Sequence, residues 1–282
     1  MHSKVHNIKI LCKVCGVSRS GYYKHLATED IRTNKEAEKV ILINKIKKIH
    51  IDSRKTYGSP RIAATLNANG HIASQKRVAK LMKENSIQAI SYKKFRSKSK
   101  ASNESIEENL IKNLKVDAPN QIWVTDITYI WTKKRWMYLS SIMDLYSRKI
   151  IAHIIDDRMD SSLVVNTLKL AISRRGLAEN LILHSDKGSQ YRSNIFKQLL
   201  KKNNIKQSMC GKGNCYDNAA MESFHSSLKK EQIYPNPILD QKETQLQIFD
   251  YIEGFYNKNR LHSSLDYVSP EVFEEKYLEN VS

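Results

Sequence analysis

The run Trp123-Val-Thr-Asp126-Ile-Thr-Tyr129 sets one carboxylate among six β-branched or aromatic side chains. That composition suits a pleated, largely buried strand. A charge in the middle of such a strand is costly, by several kcal/mol or more, unless a partner or a metal compensates it. Any sheet built around this run must therefore bring something to Asp126. Two later acids stand in similarly pointed places. Asp186 follows the short apolar run Leu181–His184, and Glu222 falls in the first turn of an amphipathic helical pattern. We read the three as ligands of divalent metal ions.

Charge divides the chain in two. Residues 1–116 hold 25 of the 47 Lys and Arg but only 9 of the 29 Asp and Glu, so nearly all of the net charge of +18 lies there. A basic N-terminal part joined to a near-neutral remainder points to nucleic-acid binding attached to a second activity. No apolar run reaches the roughly 18 residues of a membrane span, and the N-terminus lacks the apolar block of a secretory signal. A cytoplasmic protein is expected. The cysteines at 12, 15, 210 and 215 do not form a disulfide framework. His2 and His6 with Cys12 and Cys15 resemble a zinc set superficially, but Leu11, Cys12, Val14 and Cys15 read better as one face of a short helix.

Residues 1–90 read as an all-α, helix-turn-helix-like DNA-binding region. Gly16 turns the first helix and Ser18 caps the second, on which Arg19 is presented. A longer helix covers 36–50. Ser59 is the expected cap of the next, with Pro60 at its first helical position and Asn69-Gly70 as its stop. Ser74 caps a further helix with Val78, Leu81 and Met82 inward and Lys76, Arg77 and Lys80 outward, as DNA contacts would require. Residues 91–116 form a basic linker in which Lys93, Lys94 and Arg96 would track phosphates.

From 117 to 275 the pattern alternates strands and helices, followed by a tail at 276–282. Strands are expected at 123–130, 136–146, 149–156, 181–184 and 205–209, with a hairpin at 146–148. Helices are expected from a Ser161 or Ser162 cap to Gly176, at 193–203 and at 219–232. The result is a five-stranded mixed α/β sheet with helices. Asp186 leaves the end of a strand, where open sheets carry their active-site loops. The loop 211–218 is rich in turn formers. Ser226 and Lys229 share a helix face with Glu222. Hard cations such as magnesium use a few carboxylate oxygens, and an ion pair can serve both oxygens of a phosphoryl displacement. Taken singly, Asp126 reads equally as a strand-edge acid, Asp186 as a turn former and Glu222 as a helix N-terminal acid. His184 is either close to the metal or simply packed.

The surrounding motifs narrow this choice. They are Trp123-x2-Asp126-Ile-Thr-Tyr129, His184-Ser-Asp186-x-Gly188-x-Gln190-Tyr191 and Asp217-Asn-Ala219-x2-Glu222-Ser-Phe224, with thirty-five residues between the last two acids. With Tyr256-Asn257-x2-Arg260-x-His262 and Tyr57-Gly58-x2-Arg61, they resemble the OrfB product of the IS-three group of insertion-sequence transposases over nearly the whole chain. The resemblance implies a ribonuclease-H-like integrase core with Asp126, Asp186 and Glu222 as catalytic, metal-binding acids and Mg2+ (or Mn2+) as cofactor. It implies DNA strand cleavage and transfer at element ends. The partners implied are terminal inverted repeats and target DNA, a homo-oligomer on DNA, and an upstream OrfA protein as frameshift fusion or helper. Lys229 matches the basic position seven after the Glu. Arg260 and His262 either hold DNA phosphate or stabilise the C-terminal helix. A catalytically silent DNA-binding regulator and a plain nuclease on the same fold are the alternatives.

Overall fold

Strand β1 (Ile122–Trp131) is central to a five-stranded sheet of order β3-β2-β1-β4-β5. The computed structural model describes residues 7–90, 109–111, 114–210 and 218–281. It contains two compact units, residues 1–88 and 89–282.

In the first unit, α1 (Ile8–Val14) and α2 (Arg19–Ala27) flank a turn in which Gly16 has φ +65°. Only glycine adopts that conformation without strain. The Ser18 hydroxyl accepts from the Gly21 N–H at 3.0 Å, as an N-cap should. Helix α3 (Glu29–Asp52) begins seven residues before its expected start. Helix α4 (Ser59–Ala68) is capped by Gly58 rather than by Ser59, which is its first helical residue and makes no capping bond. Helix α5 (Gln75–Glu84) has the expected Ser74 cap, whose hydroxyl accepts from the Arg77 N–H at 3.2 Å. Ile46, Ile62, Leu66 and Val78 are at most 1% exposed and form the centre of this unit.

In the second unit, β1, β2 (Trp136–Asp144) and β3 (Ile150–Asp156) form an antiparallel meander. Strands β4 (Ile182–Ser185) and β5 (Lys206–Met209) add in parallel on the other side of β1. This topology is the ribonuclease-H-like sheet. Helix α6 (Ser161–Arg175) and α8 (Asn194–Lys202) cover one face, with Trp123, Ile142, Leu168, Leu183, Phe196 and Leu200 in their shared core. The cap of α6 is Asp160, not either serine: its carboxylate accepts from the Ser162 and Leu163 N–H groups at 3.0 and 3.4 Å. A single short helix turn, α7 (Ser189–Arg192), precedes α8.

Helix α9 (Ala219–Leu228) packs against β1 from the other face, and α10 (Gln241–Phe249) and α11 (Pro270–Val281) follow it in the chain. Helix α11 runs unbroken across residues 275 and 276. Two wide, π-helical segments, Lys229–Ile233 and Asp250–Tyr256, continue α9 and α10. Asn257 then closes the sheet edge. Its side-chain amide imitates a neighbouring peptide, accepting from the Ile150 N–H and donating to the Ile150 carbonyl, both at 2.9 Å.

Glu253 ties the second wide segment to β3 and α6. It lies 3.2 Å from His153 Nε2 and accepts from Arg174 Nη1 at 2.9 Å. Burial pushes its carboxyl up, but the bonds from His153 and Arg174 outweigh that and bring its pKa from 4.5 to about 2. A depressed carboxyl pKa stabilises the fold above the unfolded value and ceases to do so as pH falls towards 2. Glu253→Gln is expected to lower stability at pH 7 by ~1–2 kcal/mol and to flatten the acid limb of melting temperature against pH between about 4.5 and 2.

Candidate active site

Asp126 occupies the middle of β1, paired across the ladder with Ser141 of β2. Side chains alternate between faces along a strand. Trp123 and Ile127 belong to the α6 side, so Asp126 points to the α9 side. In the parallel pair, Val124 sits opposite His184. Asp126 and Asp186 each lie two residues further on, so the register sets both on one face of neighbouring strands, whose usual separation is roughly 5 Å.

The two carboxylates feel one another. Asp186 is exposed by surface area, yet protein crowds its carboxyl from the sheet side. Its pKa is raised by desolvation first; the Gly188 N–H, donating to Asp186 Oδ1 at 2.9 Å, opposes this, and the charge of Asp126 adds to it. Beside them, Tyr191 is fully buried, with its hydroxyl 3.3 Å from that of Thr125. Burial first and the Asp126 charge second hold its phenol well above the ordinary range.

Gly188 fits tightly against this group. A methyl added there would stand 3.0 Å from both Asp186 Oδ1 and Gln190 Oε1. Gln190 in turn donates to the Met159 carbonyl at 3.2 Å. Gly188→Ala is expected to turn the Asp186 carboxylate and lower DNA strand cleavage by roughly 10–100-fold, as lost positioning near a reacting group does. Its melting temperature should move by less than a few degrees; a fall in activity matched by unfolding would contradict this.

Helix α9 packs against β1 and brings a residue that sequence reading overlooked. His225 is buried, and its Nδ1 lies 3.4 Å from Asp126 Oδ2. Only its position three residues after Glu222, on the adjoining helix face, hinted at this. Glu222 itself is exposed in the first turn of α9. Among the described residues, no group of three or more His, Cys, Asp and Glu side chains is gathered closely enough to hold an ion. The structure thus brings Asp126 and Asp186 together and does not draw Glu222 into one cluster with them. Most of the loop before α9, residues 211–217, lies outside the described residues, along with Asp217 and Cys215.

Two features fit a hard cation all the same. A pair of carboxylates in mutual repulsion is an all-oxygen donor set that a divalent ion would neutralise. Beside Asp126, Ser141 Oγ and His225 Nε2 are buried without a hydrogen-bond partner among the described residues. Such orphans mark a polar site with room for a further hydrogen-bond or metal partner.

His184 is fully buried. Its Nδ1 is 2.8 Å from Ser208 Oγ and its Nε2 3.3 Å from Cys210 Sγ, so the packed role describes it. Lys229 begins the wide turn that follows α9, two helical turns from Glu222. Arg260 is only 4% exposed. Its Nε and Nη2 donate to the two oxygens of Glu231 at 2.8 and 2.6 Å, and Nη2 also meets Ser227 Oγ at 3.2 Å. Of its two proposed roles, the geometry favours stabilising the C-terminal segment. His262 stacks edge-on against Tyr256 at 4.9 Å, next to Arg260. In the first unit Arg19, Lys76, Arg77 and Lys80 are exposed, Lys80 lying 3.8 Å from Glu84. Lys93, Lys94 and Arg96 lie outside the described residues. Cys12 is buried on α1 as its helix face suggested, Cys15 is exposed, and His2 and His6 are outside the described residues.

The integrase core domain family matches residues 116–215, a second integrase core family 203–270, and a helix-turn-helix-like domain family 36–95. The chain is 39% identical over 269 residues to an uncharacterized 31 kDa protein of insertion element IS600 from Shigella sonnei, spanning 95% of this chain and 98% of that one. It is 35% identical over 279 residues to transposase InsF of insertion sequence IS3A from Escherichia coli K12, spanning 98% and 97%. The chain belongs to the IS3 family of transposases. The integrase core of this transposase therefore carries all three candidate acids across its two matched segments. Among solved structures, the HTLV-2 integrase catalytic core in complex with magnesium aligns with a TM-score of 0.44 at 18% identity, covering 56% of this chain and 97% of that one.

Proposed function

We propose that this transposase cleaves and joins DNA strands at the ends of an insertion element through Asp126, Asp186 and Glu222 as an Asp-Asp-Glu set. DNA transposition and integration is the activity of its family. The observation that supports the finer reading is the Asp126–Asp186 pair, set side by side by the parallel register. Asp126 and Asp186 would hold Mg2+ (or Mn2+), with Glu222 joining from α9. When bound, such ions activate an attacking water or 3′-hydroxyl and stabilise the departing oxygen.

The remaining roles belong to the chain itself. The Gly188 N–H fixes one oxygen of Asp186, leaving the other free to turn outward. His225 presses on Asp126 Oδ2 and limits its rotation. Lys229 would meet substrate phosphate. The region 1–90 would grip terminal repeats through Arg19, Lys76, Arg77 and Lys80, with the linker at 91–116 tracking phosphates before the core at 117–275. Acting at two element ends calls for at least two copies on DNA, with an OrfA protein as helper or fusion partner. No described helix is long and apolar enough to cross a membrane, and work on chromosomal DNA places the protein in the bacterial cytoplasm with the nucleoid.

The experiment is strand transfer with oligonucleotide element ends in Mg2+ or Mn2+, comparing the native protein with Asp126→Asn, Asp186→Asn and Glu222→Gln. Joining by the native protein alone supports the reading. Hydrolysis without joining would favour a plain nuclease, and DNA binding with no chemistry in any of the four a silent regulator.

A further inference from the structure

The free end of the β1–β2 hairpin has an unusual solvent face. Tyr129 pairs with Tyr138 and Trp131 with Trp136, so the ladder sets four aromatic rings on one side. On the opposite side Ile130 and Met137 are each 2% exposed. An antiparallel ribbon buried on one side ordinarily turns polar residues outward on the other. Here Tyr129, Trp131 and Trp136 are 48%, 44% and 50% exposed. The rings hold one another edge-on, with centroids 5.0 Å apart for Trp131–Trp136 and 5.4 Å for Tyr129–Tyr138.

The turn that joins the strands is basic and fixed. The Thr132 hydroxyl donates to the Arg135 carbonyl at 2.7 Å, and the Lys133 N–H donates to the Leu239 carbonyl at 2.9 Å. Lys133 and Lys134 project from it fully exposed. Arg135 is held by Asp157 at 2.7 Å. Asp156, opposite Tyr138, bounds the patch on its acidic side and leaves the tryptophan end cationic.

We propose that this hairpin end is a stacking platform for unpaired DNA bases, with Lys133 and Lys134 on the adjoining phosphates. Every base offers a π-face, so exposed rings bind single strands with little regard to sequence, and flanking lysines supply the backbone attraction. Tyr129 and Trp131 lie three and five residues along β1 from Asp126, about 10 and 17 Å at the usual strand rise, and the odd spacing sets them on the sheet face opposite its carboxylate. The inference rests on the DNA-acting function proposed above and assigns these rings to an unpaired strand held away from the reacting phosphodiester.

The test uses the full chain without divalent metal, so it reads binding and not chemistry. The protein has three tryptophans, and Trp123 is wholly buried. Adding oligothymidylate should therefore quench emission from Trp131 and Trp136. Irradiating a complex with an oligonucleotide carrying 5-iodouracil should crosslink the peptide that holds them. Trp131→Ala with Trp136→Ala should weaken oligothymidylate binding by roughly tenfold and leave duplex binding within about twofold. Lys133→Glu with Lys134→Glu should weaken it too. Saturation by anisotropy with neither quenching nor a hairpin crosslink in the native protein overturns the proposal, whatever the variants do. So does a loss of self-association in the alanine pair at unchanged DNA binding, which would make the patch a contact between copies. Either failure leaves the catalytic reading to its own assay.

Discussion

Asp126→Asn or Asp186→Asn should abolish strand cleavage and joining, by roughly a thousandfold or more, without weakening the fold. Several kcal/mol of charge stabilisation at a reacting phosphate corresponds to about three powers of ten in rate. The stability side follows from the electrostatics. The Asp186 carboxyl pKa is raised by burial first and by Asp126 as well. A carboxyl held above its unfolded value is a net cost to the fold at neutral pH, relieved as pH falls through that raised pKa. The neutral amide of Asp186→Asn removes the cost at pH 7, so its melting temperature should equal or exceed that of the native protein. Lost activity at undiminished stability is the signature of a site kept for function. A large drop in melting temperature in either variant would instead mark the acid as structural. Retained joining would remove it from the catalytic set.

The second large effect concerns Arg260. Its guanidinium forks onto Glu231, and the Tyr251 hydroxyl donates to Glu231 Oε2 at 2.8 Å. Burial opposes the charge on Arg260, but the Glu231 carboxylate more than offsets that and raises its pKa. Tyr251 is pushed well above the ordinary phenol range by burial and then by Glu231. Removing one member leaves the other charged and dry, at a cost of about 3–5 kcal/mol. Arg260→Ala should therefore lower the melting temperature by about 10 °C. Replacing both partners, Glu231→Leu with Arg260→Met, should recover most of that loss. The double variant also decides between the two roles of Arg260. With the fold restored, DNA affinity should return; if it stays low, the arginine holds phosphate after all.

Much of this was legible in the residues because period and chemistry agreed. The strand around Asp126, the Gly16 and Gly176 stops, and the inward Val78, Leu81 and Met82 follow from alternation, glycine at positive φ and a helical stripe. Misread details have local causes. Two serines beside Asp160 offered equally good caps, and only hydrogen bonding separates them. Ser59 lost its cap to Gly58 because Pro60 sits one step further into the helix than an N1 proline would. The wide segments at 229–233 and 250–256 leave no trace in a hydrophobic period, since an extra residue in a helical turn changes geometry and not composition. Glu222 was singled out by its place in the first turn of an amphipathic helix and by the motif Asp217-Asn-Ala219-x2-Glu222. His225 was not, because a histidine between Phe224 and Ser226 reads as a border residue until β1 is laid against the helix. How far Glu222 travels to its partners is a property of tertiary placement, on which a one-dimensional pattern is silent.

The parallel register has an evolutionary consequence. Residues of one parity along β1 serve α6 and α8, and those of the other parity serve α9. Inserting or deleting one residue between Trp123 and Asp126 would rotate the acid into the aliphatic side and turn Ile127 towards DNA. The same holds for β4 between Leu183 and Asp186. Length changes in these two strands are thus confined to compensated or two-residue steps. Connections such as the one between α6 and β4 face no such arithmetic at their tips.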